Sequence, residues 1–104
     1  MPLQGCARLF LQEDNADRAL EYVKKAIQLE PSLASNQVLL GKVYLRNGQL
    51  EKGVSALRSA TDLNATDAAS YHLLFRTYLK LKMPAEAKWA QTRFEEVKQA
   101  YGEE

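Results

Sequence analysis

Basic side chains recur at a fixed spacing along this 104-residue chain. The residues separated by 34 positions are Arg8, Lys42 and Arg76. Guanidinium and ammonium groups form charge-assisted hydrogen bonds with carboxylates, and these are stronger than hydrogen bonds between neutral groups. The chemistry that such a row of cations can perform is therefore recognition of acidic groups.

A row of leucines with the same spacing follows the basic row by three positions. Arg46 and Lys80 come directly after two of these leucines, and His72 precedes Arg76 by one helical turn. Apolar and basic rows on one helical surface would contact apolar and acidic side chains of a ligand. The candidate binding residues are Arg8, Leu11, Lys42, Leu45, Arg46, His72, Arg76, Leu79 and Lys80. Two alternatives stay open, namely that the leucines pack between helices and that the basic residues only solvate the surface.

Residues for catalysis or metal binding are few. The chain has one cysteine, Cys6, and one histidine, His72, so neither an internal disulfide nor a zinc site of Cys and His ligands is possible. The sequence contains no glycine-rich phosphate loop and no nucleophile elbow. We therefore predict a protein that is not an enzyme and that needs no metal or cofactor, with Cys6 as a small core residue.

The composition favours a soluble globular protein. Apolar residues make up 46% of the chain, which is too many for a disordered segment. The net charge is +1, so there is no overall bias towards nucleic acid or membranes. No apolar run approaches the roughly 18 residues that a membrane span needs, and no signal peptide is evident at the N-terminus. We expect a cytoplasmic rather than a periplasmic or secreted location.

The 34-residue spacing extends to small and apolar residues along the whole chain. Other sets in register are Ala19, Gly53 and Ala87; Phe10, Tyr44 and Tyr78; and Cys6, Leu40 and Leu74. Within each period, apolar residues recur at the i, i+3, i+4, i+7 spacing of amphipathic helices. This pattern predicts three units, covering about residues 1–33, 34–67 and 68–101, each with two helices. One such unit cannot bury its apolar face alone, so neighbouring units must stack.

Turn residues separate the two helices of each unit. Asn47-Gly48 ends a helix because glycine adopts the left-handed conformation readily, and Asp14-Asn15 occupies the same place in the first unit. Pro84 suits the first turn of a helix. The candidate N-caps of the third and fifth helices are Ser32, Ser35, Thr66 and Asp67. The predicted helices cover residues 2–12, 15–30, 35–46, 50–63, 68–82 and 84–101, and no segment is typical of a strand.

The middle unit carries a recognisable motif. It reads Gln37-x2-Leu40-Gly41-x2-Tyr44, followed after eight residues by Gly53-x3-Leu57, and resembles the tetratricopeptide (TPR) pattern W-x2-L-G-x2-Y, A-x3-F. Gln37 in place of Trp and Gly53 in place of Ala are departures. The resemblance covers nearly the whole chain. It implies an all-α fold, a right-handed α-solenoid of three TPR helix-turn-helix units with six helices in a single domain.

The third unit departs from the pattern. Phe94 stands where the other units have Ala26 and Ala60, and Gln91 replaces an apolar packing residue. Exposed polar residues on the last helix suit the end of a helical array. We therefore expect a domain from the C-terminal part of a longer protein.

In TPR proteins the first helices of the units line a concave groove in which ligands usually lie. The resemblance therefore places the candidate binding residues in such a groove. The predicted first helices with their following turns, residues 1–13, 35–46 and 69–82, hold six basic residues and one acidic residue. The rest of the chain holds eight basic and twelve acidic residues. We predict a basic groove that binds an acidic and apolar segment of a protein partner, so that the chain acts as a scaffold.

Three other classes of partner are a chaperone tail, nucleic acid and a second copy of the chain. At the places where some TPR proteins clamp the carboxylate of chaperone tails, the chain has Gln4, Arg8, Leu39, Ala69 and Leu73. Of these only Arg8 has the required charge, so we do not expect a chaperone-tail clamp. Nucleic acid is not expected either, because the basic row lacks aromatic stacking groups. Self-association, through the edge of the first unit or through the leucine-lined groove, is the main alternative.

Overall fold

The structure is a computed structural model that describes residues 3–101. These residues form six α-helices and no strand, which confirms the predicted all-α fold. In chain order the helices are α1 (Leu3–Gln12), α2 (Ala16–Leu29), α3 (Ala34–Arg46), α4 (Leu50–Leu63), α5 (Ala68–Lys80) and α6 (Pro84–Tyr101). Unit one consists of α1 and α2, unit two of α3 and α4, and unit three of α5 and α6. The predicted start of the first helix at residue 2 lies outside the described residues.

A left-handed residue lies in the turn between the two helices of each unit. Asp14, Gly48 and Lys82 have φ angles of 63°, 80° and 60°, and they are 34 residues apart. A left-handed residue cannot continue a right-handed helix. For this reason the fifth helix ends at Lys80 and not at the predicted residue 82.

The starts of α3 and α2 differ from the prediction. The N-cap of α3 is Leu33, without a side-chain hydrogen bond, so the predicted caps Ser32 and Ser35 are wrong. Asp67 is the N-cap of α5, one of the two predicted candidates, but its carboxylate accepts a hydrogen bond from the Ser70 hydroxyl at 2.7 Å. At the start of α2, Asn15 Oδ1 accepts from the backbone N–H of Arg18 at 3.3 Å. Asn15 is therefore the cap of α2 and not its first residue.

Two glycines allow α3 and α4 to approach closely. A Cβ atom on Gly41 would lie 2.7 Å from Cγ of Leu57 and 3.3 Å from the backbone oxygen of Gly53. A Cβ atom on Gly53 would lie 2.5 Å from Cδ2 of Leu45. The 2.7 Å and 2.5 Å distances to the leucine side chains are well inside van der Waals contact. The absence of a side chain at each glycine therefore allows the observed separation of these two helices.

The core consists of two clusters that each cross a boundary between units. The first contains Ala7, Leu11, Ala19, Val23, Leu39 and Val43, from α1, α2 and α3. The second contains Leu57, Tyr71, Leu74, Tyr78, Ala87, Ala90 and Val97, from α4, α5 and α6. Phe75, which stands where unit two has Gly41, and the atypical Phe94 pack against this second cluster. Each unit thus completes its apolar core with residues of its neighbour, as expected of a solenoid.

Candidate functional site

The first helices α1 and α3 bring two of the three basic row residues together. Arg8 and Lys42 are exposed and both line a depression of about 350 Å³, whose apolar wall includes Val38 and Leu39. The depression extends to the start of α5 at Ala69. We call it the first-helix depression. Arg76 is exposed on α5 but is not among its lining residues.

The depression also contains an acidic group that the sequence pattern indicated only as a helix cap. Asp67, which precedes α5, lines it together with Asn64. A ligand carboxylate is therefore favoured at the end formed by Arg8 and Lys42 and disfavoured next to Asp67. Val38, also missed, could have been found because it lies 34 positions before His72, in register with a candidate residue.

A chain of side-chain amides connects Arg8 with a buried asparagine. Arg8 Nη2 donates to Gln4 Oε1 at 3.4 Å, and Gln4 Nε2 donates to Asn36 Oδ1 at 2.6 Å. Asn36 in turn donates from Nδ2 to the backbone oxygens of Ala26 and Glu30, both at 3.2 Å. The guanidinium of Arg8 is thus linked to the junction of α2 and α3.

The three predicted leucines occupy different environments. Leu11 is 8% exposed and belongs to the first core cluster, and Leu45 packs against α4 at Gly53. Leu79 is 52% exposed. The sequence pattern treated these residues as equivalent groove contacts, but Leu11 is a packing residue and Leu45 serves mainly to pack α3 against α4. Leu79 is the leucine of this row that presents a large surface to solvent.

Arg46 also has a structural partner. Its Nη1 donates to the backbone oxygen of Leu11 and to Asp14 Oδ1, both at 3.1 Å. The Leu11 carbonyl at the end of α1 also accepts from the backbone N–H of Asp14 at 3.0 Å, so Arg46 adds a second hydrogen bond to it. Arg46 therefore joins unit two to the turn of unit one. Both Arg46 and Lys80, the corresponding residue of unit three, are exposed.

His72 is exposed on α5 and lies against α6. Its ring centroid is 5.4 Å from that of Phe94, and Lys98 Nζ is 5.3 Å from the Phe94 ring. Cys6, the expected core residue, is only half-buried. Among residues 3–101, no cluster of three His, Cys, Asp or Glu side chains has a geometry that suits a metal ion. Over the same range, no helix combines the length and the apolar character of a membrane span.

Comparison with known proteins gives a family. Residues 7–90 match the family described as Anaphase-promoting complex, cyclosome, subunit 3 (ANAPC3), which is most of the chain. No curated protein sequence matches the chain significantly. This match, together with the structural comparisons, confirms the predicted TPR family and the solenoid fold.

Two similar solved structures are both of MamA. MamA 41-end from Desulfovibrio magneticus RS-1 is 23% identical with a TM-score of 0.88, over 93% of this chain and 55% of that chain. A crystal structure of MamA is 21% identical with a TM-score of 0.87, over 95% of this chain and 58% of that chain. The chain thus spans little more than half the length of either solved chain. At these identities the similarity shows a common fold.

Proposed function

The chain belongs to the Anaphase-promoting complex, cyclosome, subunit 3 family, and on this basis we propose that it is a protein-binding scaffold and not an enzyme. Protein–protein interaction is the general role of this family. We propose that the ligand is an acidic and apolar segment of a partner protein, and that it binds along α1, α3 and α5.

The first-helix depression is the observation that carries this proposal. It combines two exposed cations, Arg8 and Lys42, with the apolar side chains of Val38 and Leu39. A carboxylate bound there would form charge-assisted hydrogen bonds, and an adjacent apolar side chain would be removed from water against Val38. Asp67 at the far end disfavours a ligand with acidic side chains throughout.

The spacing of the basic row defines the ligand further. Packed helices lie about 8–10 Å apart, and an extended chain in the polyproline II conformation rises about 3.1 Å per residue with three residues per turn. Arg8, Lys42 and Arg76 come from the first helices of consecutive units. An extended ligand would therefore meet this row with acidic side chains at about every third position.

Affinity purification tests the proposal with a triple variant, Arg8→Ala, Lys42→Ala and Arg76→Ala. The matched control carries Lys25→Ala, Lys88→Ala and Lys98→Ala, which remove the same charge from exposed positions on second helices. We expect partners of the wild-type chain to be lost from the triple variant and kept by the control. Retention of every partner by the triple variant would refute groove binding.

Self-association is a second candidate function, supported by one feature of α1. Leu9 is 45% exposed, whereas Val43 and Thr77, in register with it, are 1% and 3% exposed. In unit two this position belongs to the core cluster shared with unit one. In unit one no helix pair among residues 3–101 covers it, so a second copy could do so.

Light scattering after size exclusion tests this second candidate. We expect a concentration-dependent dimer that Leu9→Glu abolishes. Leu63→Glu is the matched control because Leu63 is also 45% exposed. A wild-type chain that stays monomeric at high concentration would exclude assembly through this edge. Leu45→Glu is unsuitable as a test of self-association through the leucine-lined groove, because Leu45 packs against α4 and its replacement would disturb the fold.

A further inference from the structure

A second depression lies between α3 and α4, on a side of α3 different from the first-helix depression. Its volume is about 320 Å³ and it shares no lining residue with the first-helix depression. We call it the α3–α4 cleft. The lining residues on which the argument depends are Gln37, Tyr44, Lys52, Ser55, Ala56 and Ser59.

Unit one fills the corresponding space with its own aromatic side chain. Phe10 is in register with Tyr44, and Tyr22 is in register with Ala56. The Phe10 and Tyr22 rings stack with centroids 5.5 Å apart and an interplanar angle of 16°. Arg18 lies over the Phe10 ring at 5.0 Å, and Lys25 lies over the Tyr22 ring at 5.2 Å. In unit one, an aromatic pair with two cations on its surface therefore occupies the space that is a cleft in unit two.

Unit three fills the same space in a different way. Trp89 is in register with Ser55, and Tyr71 is in register with Gln37. Their rings meet edge to face with centroids 5.8 Å apart. Arg58, from α4 of the preceding unit, lies 4.3 Å from the Trp89 ring and donates from Nη1 to the Tyr78 hydroxyl at 3.1 Å.

A further cation completes the cluster in unit three. Arg93 lies over the Tyr71 ring at 5.7 Å. Its guanidinium also donates from Nη1 to Glu96 Oε1 at 3.0 Å, and the pKa of Arg93 is raised by Tyr71 and by Glu96. Two units out of three therefore place an aromatic ring from the second helix in this space and cover it with cations.

Unit two supplies no such ring. Each of Gln37, Ser55 and Ala56 stands where one of the other two units has an aromatic side chain. The half-buried ring of Tyr44 has Lys52 at 5.7 Å from its centroid. Arg58 of α4 covers the aromatic ring in unit three, and Lys24 is the residue of α2 in register with Arg58. Lys24 therefore has the same position relative to unit two that Arg58 has relative to unit three. The α3–α4 cleft combines an aromatic wall, small hydroxyl side chains and nearby positive charge.

We propose that the α3–α4 cleft binds an aromatic side chain of a partner protein, presented in a segment with carboxylates beside it. The ring takes the place that Tyr22 and Trp89 take in the other units, against Tyr44. The neighbouring carboxylates face Lys52 and Lys24. This site is independent of the groove proposed above, because the two depressions have no residue in common.

Nuclear magnetic resonance tests the site with two short probes, acetyl-Asp-Trp-Asp-amide and acetyl-Asp-Ala-Asp-amide. Each is titrated into the 15N-labelled chain. We expect the tryptophan probe to shift the backbone amide signals of Ser55, Ala56 and Ser59, and the alanine probe to leave them unchanged. No shift at these amides, or an equal response to the alanine probe, would overturn the proposal.

Two variants place an aromatic ring of the chain itself in the α3–α4 cleft, and they serve as controls for the peptide titration. Ala56→Tyr reproduces the Tyr22 arrangement of unit one, and Ser55→Trp reproduces the Trp89 arrangement of unit three. We expect either folded variant, verified by circular dichroism, to lose the response to the tryptophan probe. Because Ser55 is exposed, Ser55→Trp keeps the test valid if Ala56→Tyr does not fold. An unchanged response in the filled variants would contradict the assigned site.

Discussion

Asn36 and Arg46 illustrate how single polar residues join consecutive units. Asn36 is buried, yet its amide satisfies two backbone oxygens at the end of α2 and accepts from Gln4. Arg46 donates to the Leu11 carbonyl at the end of α1 and to the Asp14 carboxylate. Buried polar groups stabilise a fold only when they are paired, and here each pairing crosses a unit boundary. These roles depend on neighbours distant in sequence, so the spacing of the residues alone did not predict them.

The close approach of α3 and α4 leads to a prediction at Gly41. We expect Gly41→Ala to lower the free energy of unfolding by about 1–3 kcal/mol, because the added Cβ would meet Leu57 at 2.7 Å. The measurement is urea unfolding followed by circular dichroism. Gly5→Ala is the control, since no atom lies within 4 Å of the added Cβ. This control should raise stability by up to about 1 kcal/mol, the usual helix preference of Ala over Gly. A Gly41→Ala chain as stable as the wild type would contradict the packing.

At the scale of helices and turns, the 34-residue period is visible in the backbone itself. The three left-handed residues, Asp14, Gly48 and Lys82, recur at this period, although only one of them is a glycine. Asp14 gains a compensating contact, because its carboxylate accepts from Arg46. Lys82 adopts an unfavourable conformation for a residue with a Cβ atom.

Lys82 therefore provides a prediction about turn strain. We expect Lys82→Gly to raise the free energy of unfolding by about 1 kcal/mol, since glycine adopts positive φ without the penalty of a side chain. The control is Lys88→Gly, at an exposed position inside α6, which should lower stability by about the same amount through helix propensity. Thermal unfolding of both variants gives the comparison. A lower melting temperature for Lys82→Gly would show that the left-handed conformation is wrong.

At the scale of the whole molecule, the burial of equivalent residues depends on their position in the array. Leu11 is buried in unit one, whereas Leu79 of unit three is largely exposed, and Leu9 is exposed where Val43 is buried. Within residues 3–101, the first and the last unit each have a neighbouring unit on one side alone. This part of the array therefore exposes apolar side chains at both edges.

The sequence predicted most of the fold and part of the arrangement of the candidate residues. The period of 34 predicted six helices. It also predicted that Ala19, Gly53 and Ala87 occupy equivalent helix contacts, because a small residue recurs at this place in every unit. It also predicted that Arg8 and Lys42 would lie near each other. It could not separate packing from exposure for Leu11 and Leu45, since that depends on how far the next helix covers each residue. The cap at Leu33 also had no sequence signal, because its side chain makes no capping bond.

The central claim is that the first-helix depression binds acidic segments, and a titration at low salt tests it most directly. The probe is an acetylated hexapeptide with glutamate at positions 1 and 4 and leucine elsewhere, and the control peptide has lysine in place of glutamate. Amide shifts of the 15N-labelled chain report the location of binding. We expect shifts around Arg8 and Lys42 for the glutamate peptide and none for the lysine peptide.

Charge reversal at Lys42 tests whether this residue contributes to the affinity for the glutamate peptide. Lys42→Glu should weaken binding of the glutamate peptide by more than about tenfold, because a hydrogen bond to a charged group contributes about 1.5–3 kcal/mol. Lys88→Glu makes the same change in net charge on α6 and should leave the affinity nearly unchanged. Shifts confined to α2, α4 and α6, or equal affinities for the two variants, would contradict the account.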